Sequence, residues 1–323
     1  MKLVAYESGK QPALGVVVND WIIGVSPAIE LLKKKRVPRQ LAQRENFKNA
    51  SQRVANAGAA PKDMIELLGR GQSWGKSLAT VTSALAKEID PRKAPRGLFT
   101  PLAKARLLAP IPRPGKITCV GLNYADHARE QGHEPPKAPI FFLKSGNTIC
   151  GPGDTIHLPP NSSQVDYEAE FAVVIGKKGR RIPEEKAYDY VAGYMILHDV
   201  SARDLQFSDG QWYRGKSCDT FAPTGPWIVT RDEIKDPHKL RISLTLNGET
   251  MQDSNTSNLI FSVPYLISYL SQSLTWEVGD LISTGTPPGV GVFRKPQVFL
   301  KAGDSASITV ENLGTLTNPV VGP

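Results

Sequence analysis

Two glutamates, Glu168 and Glu170, lie two residues apart at the start of the apolar segment 165–176. If this segment is a β-strand, alternate side chains point to opposite faces, so both carboxylates share one face with Ala172 and Val174. The carboxylates are then about 7 Å apart on a mostly apolar strand, where they repel each other and lose hydration. A bound divalent cation relieves both penalties, because hard cations such as Mg²⁺ and Ca²⁺ favour carboxylate oxygens. The alternative is an edge strand that exposes both acids to solvent.

A third carboxylate, Asp199, directly follows the apolar segment 192–198 and completes a candidate metal site. A carboxylate at a strand end beside a polar loop is well placed to meet the two glutamates. Three carboxylates leave about three octahedral positions for water or substrate oxygens. His198 alternates to the other face, so we interpret it as a packed side chain and not as a ligand.

A candidate acid–base pair, His127 and Glu130, stands three residues apart in a segment that reads as a helix after Tyr124. Positions three apart share a helix face. A carboxylate beside an imidazole orients the ring and raises its basicity, which suits the activation of water. By spacing alone, the alternative is an ordinary surface pair on a polar helix.

Two further polar residues, Arg203 and Gln206, closely follow the third carboxylate. An arginine can hold a substrate carboxylate through two parallel hydrogen bonds, and Gln206 can bind a carbonyl or hydroxyl group. Without the neighbouring acidic cluster, both would be interpreted as surface residues.

The segment 210–217 matches the phosphate-loop pattern GxxxxGK[ST], with Lys216 as its lysine. A phosphate loop follows a buried strand and opens a helix, whereas residues 205–209 have little strand character. Trp212 and Tyr213 are also bulky for a loop that surrounds phosphate. We therefore reject nucleotide binding and keep Lys216 as a cation for a substrate enolate or carboxylate.

The glycine-rich segment 283–291 follows a short apolar strand and contains Thr286. Glycine lets the backbone approach a ligand closely, so the loop can present a threonine hydroxyl to a substrate. The alternative is a tight turn without a ligand.

The predicted elements divide the chain into two parts. Residues 2–6, 13–18 and 21–25 are typical of a small β-meander, and Ser26-Pro27 predicts the start of a helix. A second amphipathic helix has apolar residues at helical spacing from Trp74 to Ile89 and ends at Asp90-Pro91. The later half is predicted to be strand-rich, with strands at 191–197, 227–230, 241–246, 281–283 and 305–311 and helices after 124, near 183–190 and near 263–271.

The prolines between residues 91 and 115 indicate a linker. We therefore predict a small α+β N-terminal domain over residues 1–90, a Pro-rich linker over 91–115 and a catalytic domain over 116–323.

The composition is that of a globular protein of 323 residues, with 40% hydrophobic and 22% charged residues. The net charge of +8 arises from scattered basic residues, which argues against nucleic acid and favours the attraction of small anions. No apolar segment is long enough to span a membrane, and the N-terminal residues lack the features of a targeting peptide. Cys119, Cys150 and Cys218 are widely spaced without CxxC, which argues against structural zinc and predicts a cytoplasmic location.

Taken together, these segments resemble the fumarylacetoacetate hydrolase (FAH) family. The resemblance covers residues 115–323 and places the same residue types in the same order as the family motifs. The end of the glycine-rich loop, at residues 291–296, is most similar to the FAH domain-containing protein 2 subgroup. The matching strings are Gly121-Leu122-Asn123-Tyr124 with His127 and Glu130, Asp166-Tyr167-Glu168-Ala169-Glu170, His198-Asp199-Val200-Ser201-Ala202-Arg203-Asp204, Lys216 with Asp219-Thr220-Phe221, and Thr284-Gly285-Thr286-Pro287-Pro288-Gly289-Val290-Gly291.

The resemblance implies an α+β fold whose catalytic domain is a mixed β-roll or β-sandwich, usually in a homodimer. It implies that Mg²⁺, or alternatively Mn²⁺ or Ca²⁺, is bound by the three carboxylates and chelates a 2-oxo acid. By this resemblance, His127 and Glu130 belong to a lid helix, where they activate water. The resemblance also implies that the substrate is contacted by Arg203, Gln206, Lys216 and Thr286.

One difference between this chain and the family motif affects the expected substrate. The founding hydrolase of the family has a fourth carboxylate ligand upstream of its catalytic histidine, where this chain has residues 120–123 and no acid. This favours the members with smaller substrates, which are acylpyruvate hydrolases, oxaloacetate decarboxylases, oxaloacetate keto–enol tautomerases and hydroxydienedioate isomerases.

These reactions share the stabilisation of an enolate by a metal ion. Hydrolysis also needs water delivered to the distal carbonyl by His127 and Glu130, whereas tautomerisation needs only proton transfer. Lys216 is a candidate for that transfer if burial lowers its pKa. We expect a metal-dependent hydrolase of carbon–carbon bonds in 2-oxo or 2,4-dioxo acids, with tautomerisation or decarboxylation of oxaloacetate as the alternative. A degenerate, ligand-binding family member is the alternative that is not an enzyme.

Overall fold

The computed structural model describes residues 1–132 and 134–323. We number the elements along the chain. The strands are β1 (Lys2–Ser8), β2 (Gln11–Val18), β3 (Trp21–Gly24), β4 (Phe99–Pro101), β5 (Leu107–Leu108), β6 (Ile117–Gly121), β7 (Ile140–Lys144), β8 (Ile149–Cys150), β9 (Ile156–His157), β10 (Val165–Asp166), β11 (Ala169–Ile175), β12 (Val191–His198), β13 (Ser201–Ala202), β14 (Ala222–Thr230), β15 (Arg241–Leu246), β16 (Glu249–Asn255), β17 (Leu281–Ser283), β18 (Ser305–Val310) and β19 (Gly314–Val321).

The helices concentrate between residues 25 and 88. Short 3-10 turns connect many of the strands, the longest being Glu184–Tyr190. No helix in the described ranges is long and apolar enough to cross a membrane. The α-helices are α1 (Val25–Lys33), α2 (Arg39–Ala42), α3 (Glu45–Asn56), α4 (Met64–Gly69), α5 (Gly71–Glu88), α6 (Ala125–Glu130), α7 (Arg203–Ser208), α8 (Tyr213–Lys216) and α9 (Val263–Ser271).

One large mixed sheet organises the fold. Its strands run in the order β4-β3-β2-β1-β14-β12-β11-β17-β6-β7, with β5 paired to β1 and β8 paired to β14. Most neighbours are antiparallel, but β17 and β6 run parallel, as do β14 and β8. A second sheet has the order β16-β15-β18-β19-β9, and β10 pairs with β13 alone. This arrangement confirms the predicted α+β class with mixed sheets.

Strand β11 lies inside the large sheet and is buried on both faces. Phe171, Val173 and Ile175 enter a core that is shared with the second sheet and α9. Ala172 and Val174 enter a different core, which is formed with α1, α3 and α5. The two-residue period of a strand therefore assigns each side chain to one of two separate cores.

The N-terminal strands join the same sheet as the later strands. Lys2 and Leu3 of β1 pair with Val229 and Ile228 of β14. Strands β4 and β5, which lie in the segment interpreted as a linker, pair with β3 and β1. The boundaries at residues 90 and 115 stay a prediction.

Candidate active site

The three carboxylates lie together in the interior. One oxygen from each of Glu168, Glu170 and Asp199 lies within 4.8 Å of the others, and all three residues are buried. Glu170 stands on β11, Asp199 directly follows β12, and the Asp199 N–H donates to the Glu168 carbonyl oxygen at 3.0 Å. The expected continuous strand is interrupted at residues 167–168, yet both glutamates still reach this cluster. The interpretation as a solvent-exposed edge is wrong, because both carboxylates are buried.

The carboxylates have different electrostatic environments. Burial and the negative charges of Asp199 and Glu168 raise the pKa of Glu170 well above its usual value, although the Ser283 hydroxyl and the Gly285 N–H donate to it. Burial also acts to raise the pKa of Glu168, but the cations of Lys216 and Arg203 outweigh it and hold that pKa below its usual range.

Two buried lysines contact this cluster. Lys216 Nζ lies 2.7 Å from Glu168 Oε2 and 2.9 Å from Asp199 Oδ2. Lys144 Nζ lies 2.6 Å from Asp199 Oδ1 and also donates to the Val200 carbonyl. Sequence reasoning missed Lys144; its signal is a lysine at the end of the apolar strand β7.

The pKa of Lys216 is shifted in the direction opposite to the one considered from the sequence. Burial alone lowers its pKa, but the carboxylates of Asp199 and Glu168 outweigh burial and hold the pKa above its usual value. The condition set for proton transfer, a pKa of Lys216 lowered by burial, is therefore not met by the structure. This raised pKa favours the positively charged form of Lys216, whose Nζ donates hydrogen bonds to Glu168 and Asp199.

Arg203 and Gln206 lie three residues apart on α7 and contact each other. The Arg203 Nε donates to Asp166 Oδ2 at 2.8 Å, and its Nη2 lies 2.6 Å from Glu168 Oε1. Its Nη1 donates to Gln206 Oε1 at 3.0 Å. The guanidinium therefore holds two carboxylates of the protein itself and also donates to the amide oxygen of Gln206.

The pair His127 and Glu130 forms on α6. His127 Nδ1 lies 2.9 Å from Glu130 Oε2, and the Gly289 N–H donates to Glu130 Oε1 at 2.9 Å. His127 is buried, and its ring lies 6.0 Å from that of Phe293. The helix is thus attached to the glycine-rich loop that contains Thr286.

A residue missed by sequence reasoning, Gln252, connects this loop to the carboxylates. Its Oε1 accepts from the N–H of Ala169, which stands between the two glutamates, at 2.8 Å. Its Nε2 lies 2.9 Å from Thr286 Oγ1 and 2.8 Å from the Pro287 carbonyl oxygen. No sequence pattern marked Gln252, because a single glutamine in a hairpin strand carries no spacing signal.

The structure is consistent with the rejection of His198 as a ligand and of the segment 210–217 as a phosphate loop. Burial, with a smaller effect from Lys144, lowers the pKa of His198 to about 3, so this packed histidine is neutral. The segment 210–217 follows α7 rather than a buried strand, and it leads into strand β14. A phosphate loop has the opposite order, with the strand first and the helix second.

The donor set of the carboxylate cluster fits a hard divalent cation, because it offers only carboxylate oxygens. Burial and then the negative charges of Asp199 and Glu168 raise the pKa of Glu170, and Lys216 opposes this effect only in part. A cation held by Glu168, Glu170 and Asp199 would remove this repulsion. These residues are the ones that could hold a metal.

Comparisons with known proteins show which family this chain is similar to. The family model for the fumarylacetoacetate (FAA) hydrolase C-terminal domain matches residues 116–321. The chain is 49% identical over 264 residues to oxaloacetate tautomerase Fahd2a, mitochondrial, from Rattus norvegicus, covering 81% of each chain. A fumarylacetoacetate hydrolase from Exiguobacterium antarcticum is 32% identical with a TM-score of 0.78, covering 100% of both chains. Maleylpyruvate hydrolase from Sphingobium sp. SYK-6, solved with manganese(II) and pyruvate, is 28% identical with a TM-score of 0.71, covering 100% of this chain and 99% of that one.

Proposed function

The chain belongs to the fumarylacetoacetate hydrolase family, and we propose that it is a divalent-metal-dependent oxaloacetate keto–enol tautomerase. Membership makes it an enzyme of the family's hydrolase, isomerase or tautomerase type. One observation carries the choice of reaction: the 49% identity to an oxaloacetate tautomerase over 81% of both chains. The expectation of a hydrolase becomes the second candidate.

The proposed metal ligands are Glu168, Glu170 and Asp199, with Mg²⁺ or Mn²⁺ as the ion. When bound, such a cation polarises the 2-oxo group of the substrate and stabilises negative charge on its oxygen. The manganese and pyruvate in the Sphingobium hydrolase support this assignment for a protein of the same fold.

The chain supplies the groups that a small dianionic oxo acid requires. Lys216 is buried beside the cluster, and its positive charge favours an enolate electrostatically. It would give one proton to the enolate oxygen and regain one from the substrate carbon, so no proton is gained or lost overall. We assign the Gln206 amide nitrogen and the Thr286 hydroxyl to hydrogen bonds with substrate oxygens. Arg203 acts through Glu168, because its guanidinium fixes that carboxylate.

Tautomerisation moves one proton between carbon and oxygen and breaks no carbon–carbon bond. It therefore needs no activated water and does not require His127. The second candidate, hydrolysis of an acylpyruvate, is favoured by the paired His127 and Glu130, since such a pair can take a proton from water.

The deciding experiment supplies keto and enol oxaloacetate and acetylpyruvate to the wild type, His127→Ala and Lys216→Ala, with separate analysis of enol, pyruvate, acetate and CO₂. For a tautomerase, the wild type exchanges the oxaloacetate forms with almost no cleavage, and Lys216→Ala loses more activity than His127→Ala. Rapid acetylpyruvate cleavage that disappears in His127→Ala would establish the hydrolase instead. Full turnover after exhaustive chelation would refute the proposed dependence on a metal ion.

Two further proposals concern the surroundings of the enzyme. We propose a homodimer, which sedimentation can test, and a small oxo acid as the binding partner in place of nucleic acid. The cytoplasmic location stays a prediction, while the name of the rat relative calls that protein mitochondrial. Fractionation of cells with a tagged chain distinguishes the two compartments.

A further inference from the structure

Both ring nitrogens of His127 have hydrogen-bond partners. One partner is Glu130 on the same helix, and the other is Gln131, which directly follows that helix. Nδ1 lies 2.9 Å from Glu130 Oε2, and Nε2 lies 2.7 Å from the amide Nε2 of Gln131. An ionised carboxylate only accepts, so the tautomer that matches this contact carries its proton on Nδ1. The side-chain amide nitrogen of Gln131 only donates, so the lone pair on Nε2 accepts its hydrogen.

The surroundings keep this arrangement in place. Asp126 Oδ2 accepts from Ser254 Oγ at 2.6 Å and from Asn258 Nδ2 at 2.9 Å, which fixes the start of α6. The Gly289 N–H fixes its end through Glu130. The Gln131 N–H continues the helix to the His127 carbonyl at 3.2 Å, which sets where its side chain begins.

A general base needs an unoccupied lone pair that can reach the proton it removes. In hydrolysis of an acylpyruvate, water would form a carbon–oxygen bond to the distal carbonyl and give its proton to Nε2. The carbon–carbon bond would then break, and its electron pair would remain on the enolate of pyruvate, which takes the proton back. In this protein the lone pair that would receive the proton is already used by Gln131.

We propose that Gln131 is a positioning residue that occupies the Nε2 lone pair of His127 and so suppresses hydrolysis in favour of tautomerisation. This inference rests on the proposed function. It explains how a chain can retain the paired His127 and Glu130 without cleaving carbon–carbon bonds. Glutamine at this position thus determines which reaction the shared enolate chemistry leads to.

The test compares wild type, Gln131→Leu and the control Gln272→Leu. Leucine keeps the approximate size of glutamine and removes the donor. Gln272 also directly follows a helix, α9, and its amide donates to the Ser268 carbonyl at 3.2 Å, far from His127 in the chain. We expect Gln131→Leu to raise acetylpyruvate cleavage by about tenfold, a modest share of what a general base contributes. Oxaloacetate exchange should change by less than about twofold, because tautomerisation does not use this base.

Nitrogen-15 spectra of the imidazole give a readout that a merely structural role would not move. The wild type should show the Nδ1–H tautomer with a hydrogen-bonded Nε2, and Gln131→Leu should shift only the Nε2 resonance. The gained cleavage should disappear in Gln131→Leu combined with His127→Ala. A shifted Nε2 resonance without increased cleavage would overturn the inference, as would an Nε2 resonance that the substitution leaves unmoved. If the wild type does not tautomerise oxaloacetate, the proposed function fails, and the cleavage ratio of Gln131→Leu to wild type still decides the role of Gln131.

Discussion

Lys144 and Asp199 form an ion pair in which neither side chain is exposed to solvent. The Lys144 Nζ lies 2.6 Å from Asp199 Oδ1. Lys144 ends β7 and Asp199 directly follows β12, and these two strands are not neighbours in the sheet. Burying two charges is unfavourable unless each is paired and hydrogen-bonded, and Lys144 meets this condition with the Val200 carbonyl as a further acceptor. The pair therefore sets the position of the third carboxylate of the site.

The first prediction is that Lys144→Met lowers both stability and activity. The substitution removes one partner of a buried pair, which typically lowers the free energy of unfolding by about 3 kcal/mol or more. Asp199 keeps Lys216 as a partner, so we expect a folded protein with a lower urea midpoint and weakened Mn²⁺ binding. Urea titration and calorimetric metal titration measure the two effects.

Lys178→Met is the matched control for this prediction. Lys178 pairs with Glu277 at 2.8 Å on the surface, with 69% and 46% of the side chains exposed. Exposed pairs contribute about 0 to 1 kcal/mol, so the urea midpoint of the control should stay close to that of the wild type. Equal loss in both variants would contradict a special role for Lys144.

The sequence predicted the local parts of this site better than the contacts between distant segments. Glu168 and Glu170 do lie in one cluster as predicted, although the strand whose alternation predicted this is interrupted at residues 167–168. Strands β1 to β3 and helix α5 were also predicted, because their patterns are complete within a few residues. Helix α3 was missed, since its buried residues, Phe47, Ala50 and Val54, stand among mostly polar neighbours.

The ion pairs that the cations of the site form could not be predicted in the same way. Lys144 ends the edge strand β7, and one lysine after a short apolar segment does not by itself distinguish a buried partner of a carboxylate from an ordinary surface lysine. Its partner stands 55 residues later, and only the fold brings the two together. Likewise, the raised pKa of Lys216 depends on two carboxylates from different elements, which spacing alone cannot reveal.

The second prediction is that Glu170→Gln abolishes metal binding and stabilises the metal-free protein. The substitution removes a carboxylate whose pKa is raised by burial and by two neighbouring acids, so it relieves repulsion. With a chelator present, the melting temperature should rise by a few degrees. Added Mn²⁺ should stabilise the wild type by about 2.7 kcal/mol at one hundred times its Kd and leave the variant unchanged.

Glu184→Gln is the control, because this glutamate is exposed in the turn before β12. It should keep the Mn²⁺-dependent increase in melting temperature. Retention of that increase by Glu170→Gln would show that the cation binds elsewhere.

The third prediction is that Gln252→Leu weakens metal and substrate binding together. The buried amide of Gln252 contacts both the backbone of Ala169 and the loop of Thr286. Leucine leaves the Ala169 N–H and the Pro287 carbonyl without their partner, which should lower the free energy of unfolding by about 3 kcal/mol. We expect a higher KM for oxaloacetate and a higher Kd for Mn²⁺.

Gln297→Leu is the control for this third prediction. Gln297 is exposed, and its amide makes one hydrogen bond, to the Val292 carbonyl at 2.8 Å. Its KM and metal affinity should match those of the wild type. A Gln252→Leu protein with raised KM and unaltered metal affinity would disprove the coupling through Gln252.

The fourth prediction is that Gly289→Ala damages the site through a steric clash as well as backbone strain. Gly289 has φ +101°, and a Cβ there would lie 2.1 Å from the Met251 carbonyl oxygen. Gly303 has φ +94° and nothing within 4 Å of the same position, so Gly303→Ala isolates the cost of the left-handed backbone. That cost is about 1 to 2 kcal/mol.

Gly289→Ala should therefore lower the urea midpoint further than Gly303→Ala does. It should also change the orientation of His127, because the Gly289 N–H holds Glu130, and Glu130 orients His127. In nitrogen-15 spectra the Nδ1 resonance of His127 should shift in Gly289→Ala and stay unmoved in Gly303→Ala. If both variants lose the same stability and neither moves that resonance, the loop does not control the helix that carries His127.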